Sequence, residues 1–137
     1  MGSTVQDTYL EAEILSADPV KLVIILYRAA IEAVGAARRY VAGGLIRERS
    51  QKISKASAII SELVLSLDHT RGGEISQSLA RLYDYMRMRL NEANAQQIDP
   101  PLAEVEGLLT TLLEGWLAAI SKEAVSEAAH ESISWSC

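Results

Sequence analysis

VKLVIILYRAAIEAVGAARRYVA, residues Val20–Ala42, is the stretch whose reading decides the fold. It follows Asp18-Pro19. Aspartate is a good helix N-cap, because its carboxylate accepts from the orphan amides of the first turn. Proline fits the first helical position, where no amide hydrogen is needed. A helix is therefore predicted from Pro19. Its polar residues, Lys21, Arg28, Glu32, Gly35 and Arg39, fall close to one narrow stripe with Arg38 beside them, and the rest is apolar. A surface helix needs an apolar face only about 100° wide. This helix buries more than that, so it is central in a bundle or has a second face covered by a partner. A membrane span is the wrong reading. A span needs about 20 mostly apolar residues, and here Arg28 and Glu32 sit mid-helix one turn apart, as an ion pair on a wet surface does.

Outward from this helix the chain reads as helix throughout. Its 137 residues make one domain with room for a core, and 49% hydrophobic against 23% charged is a globular balance. Phe is absent and Pro occurs three times, so few breakers interrupt an Ala-, Leu- and Glu-rich sequence. Gly43-Gly44 ends the first helix as a left-handed cap does. A second helix follows from about Leu45 to Leu67. Ile46, Ile53, Ile60 and Leu67 recur every seven residues with Ala56 and Leu63 between them, a seam of bundle type widened by Ile59 and Val64. Asp68–Gly73 reads as a turn, and Glu74 opens a third helix with Ile75, Leu79, Leu82, Met86, Leu90 and Ala93 inward. Tyr83 and Tyr85 flank that face and, two apart, cannot share it, so one belongs in the core and one outside. Asp99-Pro100 starts a fourth helix to about Ser121, with its stripe at Leu102, Val105, Leu109, Leu112, Trp116 and Ile120. Short connections between four long helices predict an all-α, antiparallel up-down four-helix bundle over residues 1–121. Residues 1–15 form an N-terminal arm or short helix, carrying Tyr9, Leu10, Ile14 and Leu15 in a polar setting, and 122–137 a partly ordered acidic tail.

The chemistry is mostly exclusion. Net charge is −5, which argues against general nucleic-acid binding. Residues 38–55 are locally basic (Arg38, Arg39, Arg47, Arg49, Lys52 and Lys55 against Glu48) and the region from Asp99 onward acidic, a pattern expected of helices that complement one another. No aromatics interleave with the bases as a single-strand binder requires. Cys137 stands alone at the end, so no internal disulfide forms. The N-terminus lacks a basic region and an apolar run, and the default compartment is cytoplasmic. His69 and His130 do not cluster with other ligands. Glu127 and His130 make a single Glu-x-x-His pair in the tail, where carboxylate di-iron bundles need two pairs and two more glutamates. No nucleophile–base pair and no phosphate loop is in view, so the chain reads as a binding module without cofactor or metal, not an enzyme.

Three stretches narrow this reading. Ser16-Ala17-Asp18-Pro19 is followed by Leu22, Leu26-Tyr27 and Ile31, with Tyr9 upstream in the arm. Gly72-Gly73-Glu74-Ile75 is followed by Leu82-Tyr83-Asp84-Tyr85-Met86, Arg89-Leu90 and Glu92-Ala93-Asn94. Glu104-Val105-Glu106-Gly107-Leu108-Leu109 is followed by Leu112 and Trp116. In order and spacing they resemble the flagellar export chaperone family known as FliS, over roughly residues 9–117. Asp18 departs from the Ser or Thr more frequent there, which a helix cap tolerates. The second helix matches in pattern alone, and the tail carries no family signal. The resemblance implies a four-helix bundle that binds the C-terminal segment of flagellin, disordered in the monomer, and so blocks premature assembly in the cytosol. It also implies presentation of that complex to the flagellar export gate.

The residues themselves point the same way, since the over-apolar first helix and the widened second leave more apolar surface than four helices consume. The expected partner-binding residues are Tyr9, Leu10, Ile14, Tyr27, Ile59, Ile60, Leu63, Tyr83, Tyr85, Leu109, Leu112 and Trp116. Tyr27 reads equally as core, and Leu109, Leu112 and Trp116 as core, groove lining or both. The expected state is a monomer or a weak homodimer, without nucleic acid and without stable membrane insertion. Two rival classes remain on residues alone, a metal-dependent ferritin-like enzyme and a regulatory bundle with a non-flagellin partner.

Overall fold

The computed structural model describes residues 19–136, with the side chains of 69–71 and 123–136 outside the description. Within these bounds the chain is four helices and no strand: α1 Pro19–Gly43, α2 Ile46–Leu65, α3 His69–Gln96 and α4 Pro100–Ser136. α1 packs on α2 and α4, and α3 packs on the same two, so α1 and α3 face each other diagonally. This is the up-down bundle that the short connections predict.

Helix ends explain the chain reversals. Gly44 adopts φ 69°, the Gly44 amide donates to the Val41 carbonyl (3.2 Å), and the Leu45 amide donates to that of Tyr40 (2.9 Å). These paired bonds satisfy two orphan carbonyls of α1 and reverse the chain. α3 ends in a related way without glycine. Gln97 takes φ 58° and the Ile98 amide donates to the Ala93 carbonyl (3.2 Å). Asp99 precedes α4 as the sequence predicts, and its carbonyl accepts from the Ala103 amide at 3.0 Å. Its carboxylate is engaged by Arg38 of α1, so here the side chain joins two helices.

The link between α2 and α3 differs from the predicted turn. Helix begins already at His69 and breaks at Gly73, which holds φ 51° and ψ −122°. The Asp68 carbonyl accepts from the Gly72 amide (2.7 Å) and the Ser76 hydroxyl (3.0 Å), which fixes the break. A side chain at Gly73 meets open space, so its cost is backbone strain alone. Gly73→Ala should destabilise the protein by about 1–3 kcal/mol, read as a lowered melting temperature. A melt unchanged from wild type would show that this break is not needed. At its far end α4 runs on to Ser136, past Ser121 where the apolar stripe was expected to fade.

The core follows the predicted seams in the middle and departs from them at the ends. Leu26, Tyr27, Ala30, Ala33, Val34 and Ala37 of α1 meet Ile53, Ala56, Ile60 and Leu63 of α2. Tyr83, Met86, Leu90 and Ala93 of α3 and Leu102, Val105 and Leu109 of α4 close it. The alanines of α1 let α2 approach closely, which is why this pair makes the most extensive helix contact. Ile46 and Ile75, predicted inward, are 55% and 71% exposed. Each starts its seam at a helix end, where the opposing helices no longer overlap it.

Polar ties gather at one end of the bundle, where α1 finishes, α2 starts, α3 finishes and α4 starts. The Arg38 guanidinium donates to both carboxylate oxygens of Asp99 (2.8 and 3.1 Å) and to Glu106 (2.9 Å). Gly35 leaves room for the Glu106 carboxylate, which lies 3.3 Å from where a β-carbon would stand. Buried Arg49 donates to the side-chain and backbone oxygens of Asn94 (3.2 and 3.3 Å), and Ser50 donates to the same side chain (2.9 Å). The Asn94 carbonyl belongs to the last turn of α3, where a cation complements the helix dipole. Of the locally basic run, Arg38 does complement α4 as expected, whereas Arg39 and Arg47 stand exposed.

Candidate functional site

At the opposite end the helices part around an apolar groove of about 600 Å³. α1 contributes Pro19, Val20, Leu22 and Val23; the α2–α3 link contributes Ser66, Leu67, Asp68 and Gly72. α3 adds Ile75, Ser76, Leu79 and Tyr83, and α4 adds Trp116. The reason is geometric. α1 begins at Pro19 with three aliphatic residues in its first turns, and the helix diagonal to it is displaced by the break at Gly73. Nothing among the described residues fills the space between them. Ile75 and Val20 stand 71% and 41% exposed at its rim.

The floor is a pair of tyrosines that crosses the bundle. Tyr27 of α1 and Tyr83 of α3 share a hydrogen bond between their hydroxyls at 2.5 Å, with tilted rings 6.4 Å apart. Trp116 lies near enough to the Tyr27 hydroxyl to ease that phenol down. Burial pushes both phenols above their ordinary value, and the shared bond raises Tyr83 further while easing Tyr27 down. Both groups are therefore neutral over any physiological pH. The groove offers apolar wall and two satisfied hydroxyls, a surface suited to an apolar helix face and poor in groups for general acid or base work.

A second network lies on the outer α3–α4 face. Glu104 accepts from the Tyr85 hydroxyl and from Arg89 (3.1 Å), and Arg89 also donates to Glu92 (2.5 Å). The Tyr85 bond foremost, with help from Arg89, holds the Glu104 carboxyl below its ordinary value against the opposing effect of desolvation. A carboxyl depressed in the folded state adds stability above its unfolded value and loses it as pH falls through the folded one. An NMR titration should thus place the Glu104 midpoint below that of an ordinary glutamate, and Tyr85→Phe should raise it. A midpoint unmoved by that substitution would show that the Tyr85 bond is not made in solution.

The expected site residues divide sharply by position. Trp116 and Tyr83 meet at the groove. Tyr83 is 1% exposed and Tyr85 39%, the core-and-surface split that their spacing requires. Tyr27, Ile60, Leu63 and Leu109 are completely buried, so they support the groove from beneath and present no surface of their own. Ile59 and Leu112 are half-buried against the core. Tyr9, Leu10 and Ile14 lie outside the described residues. Sequence reasoning missed Pro19, Val20, Leu22, Val23, Leu67, Ile75 and Leu79 as lining. They begin or end apolar seams at helix ends, where periodicity alone does not tell which side chains a neighbouring helix covers.

A second cavity, about 570 Å³, lies between α1 and α4 around Gly35, Arg38, Arg39, Asp99 and Glu106. Its carboxylates are already paired with Arg38. Among the described residues no group of three or more His, Cys, Asp or Glu is placed to hold a metal ion, and no helix is long and apolar enough to cross a membrane.

Comparison with known proteins bears on this arrangement. The family model described as flagellar protein FliS matches residues 1–123. The flagellar secretion chaperone FliS of Salmonella typhimurium is 36% identical over 119 residues, 86% of this chain and 88% of that one. The flagellar secretion chaperone FliSB of Pseudomonas aeruginosa is 38% identical over 111 residues, 81% and 88% of the two chains. Among solved structures, a bacterial flagellar chaperone superposes with TM-score 0.72 over 89% of this chain and 99% of its own, at 18% identity, which speaks to the fold alone.

Proposed function

The chain belongs to the FliS family of flagellar proteins, and from that premise we propose that it is a flagellar secretion chaperone whose client is the C-terminal segment of flagellin. It works in the cytoplasm, keeps that segment from premature polymerisation, and presents the complex to the flagellar export gate. The observation that carries the reading is the apolar groove between α1, α3 and α4, which none of the described residues fills. An amphipathic segment that folds as it binds lays its apolar face into such a groove. Ordering a disordered client costs about 2–5 kcal/mol of the gross interaction, which the apolar walls must exceed.

The groove also gives the N-terminal arm a place. Pro19 lines the groove, and residues 1–18 join the chain there. The arm, with Tyr9, Leu10 and Ile14, covers the groove when no client is bound, and the client displaces it. Removing residues 1–15 then tightens client binding, and an unchanged affinity would overturn this part of the reading.

The test of the whole is calorimetry of the full chain against a synthetic peptide of the flagellin C-terminal segment. One-to-one binding with a large negative heat-capacity change is expected, the mark of apolar burial coupled to folding. Absence of binding at micromolar concentration, by the folded protein with and without residues 1–15, would sink the flagellin reading.

A further inference from the structure

The end of the bundle far from the groove carries a different surface. Two turns form it, Gly44-Leu45 between α1 and α2 and Gln97–Asp99 between α3 and α4. The Arg38–Asp99 and Arg49–Asn94 bonds hold these turns side by side. Three aliphatic side chains point away from the core there: Leu45 is 48% exposed, Ile46 55% and Ile98 36%. Leu45 and Ile98 each follow a left-handed residue, and their amides bond back to Tyr40 and Ala93, which fixes both on the outside of the bundle end.

The charge around these residues is unbalanced. Arg39 and Arg47 are exposed and enter no ion pair among the described residues. The nearby carboxylates are largely spent: Asp99 and Glu106 on Arg38, Glu92 and Glu104 on Arg89. Glu48, half-buried in the first turn of α2, is the acid left beside them, and Lys52 and Lys55 continue the positive face along α2. A chain of net charge −5 thus presents a locally positive, aliphatic tip.

We propose that this tip is a peripheral contact for an anionic lipid surface. Aliphatic side chains on a protruding turn enter the headgroup boundary while flanking arginines meet lipid phosphates. A peptide partner is favoured less, because helical segments dock in concave grooves between helices and these three residues stand on turns. With few contacting groups the binding is weak, reversible and salt-sensitive. It leaves the groove at the other end open, so the protein can lie against a membrane while holding a client. The inference rests on the tip alone and stands whether or not the client is flagellin.

Flotation of the full-length chain tests it, with vesicles of phosphatidylcholine alone and of phosphatidylcholine mixed with phosphatidylglycerol. Flotation with the anionic vesicles alone, weakened by added salt, is expected. Arg39→Ala with Arg47→Ala should lower partition by roughly thirtyfold, and Leu45→Ser with Ile46→Ser should abolish it. All four side chains are exposed, so both variants should melt as wild type does. Equal binding to neutral vesicles overturns the proposal, as does anionic binding that survives both double substitutions. Failure to bind either vesicle also overturns it and leaves the tip to an acidic protein segment.

Discussion

Replacing Tyr83 with alanine is expected to remove about 3–5 kcal/mol of stability, the range for deleting a large buried aromatic side chain. Small domains hold about 5–15 kcal/mol in total, so the variant sits near the edge of folding. The reason is the position of Tyr83, 1% exposed at the middle of the bundle, where it reaches across to Tyr27. Truncation opens a cavity under the groove and takes away one partner of the Tyr27 hydroxyl. Urea unfolding followed by circular dichroism should show a lower midpoint with little change in slope. Tyr83→Phe is the informative companion. It keeps the ring and removes only the hydroxyl bond to Tyr27, so the loss should fall to about 1 kcal/mol. Equal effects of the two substitutions would mean that the hydroxyl pair, and not the ring, carries the stability. The same pair sets an alkaline limit. Both phenols are raised in the folded state, so their contribution is complete below the ordinary tyrosine value and is lost as pH climbs from there toward the folded values.

The second large effect concerns binding. Trp116→Ala should weaken the client peptide by roughly thirtyfold or more, as truncating a central tryptophan in an apolar interface does. Trp116 supplies the α4 wall of the groove and is partly buried against the core. Its loss therefore removes contact area and loosens the floor. Met88→Ala is the control, since Met88 is 50% exposed on α3 and lines no part of the groove. Calorimetry should find Met88→Ala unchanged. If Trp116→Ala also left affinity unchanged while the protein stayed folded, the client would have to bind elsewhere.

How far the sequence foretold these residues depends on where they sit along a helix. Mid-helix positions were legible, because period alone decides them: Ile53, Ile60 and Leu63 lie in the core as their seven-residue spacing requires. The split between buried Tyr83 and exposed Tyr85 was legible for the same reason, since two residues along a helix turn a side chain through more than a right angle. Gly44 was legible from chemistry, as a left-handed cap. Helix ends were not. Ile46, Leu67 and Ile75 continue perfectly good seams, yet nothing local says how far a neighbouring helix extends over them. That information lies in the break at Gly73 and in the relative lengths of α1 and α4. Asp99 was legible as the start of α4, but its pattern gave no sign of the guanidinium more than sixty residues away in sequence that engages its carboxylate, with Nε bonded at 2.8 Å.

The uneven placing of polar ties has a mechanical consequence. At one end Arg38 ties α1 to Asp99 and Glu106 of α4 and its preceding turn, and Arg49 and Ser50 tie α2 to Asn94 of α3. At the other, among the described residues, the Ser66 and Ser76 hydroxyls bond to main-chain carbonyls at and beside the link, the Tyr27–Tyr83 pair lies beneath, and the walls are mostly apolar. Directional bonds resist sliding and splaying, whereas apolar contacts slip at little cost. The bundle is accordingly built like a clothes-peg, with its spring at the arginines and its jaws at Val20, Ile75 and Trp116. The Arg38 and Arg49 bonds lie at the end far from the groove, so a change of groove width bears on them least. If the groove takes a client as proposed, uptake and release leave the ties at the far end in place.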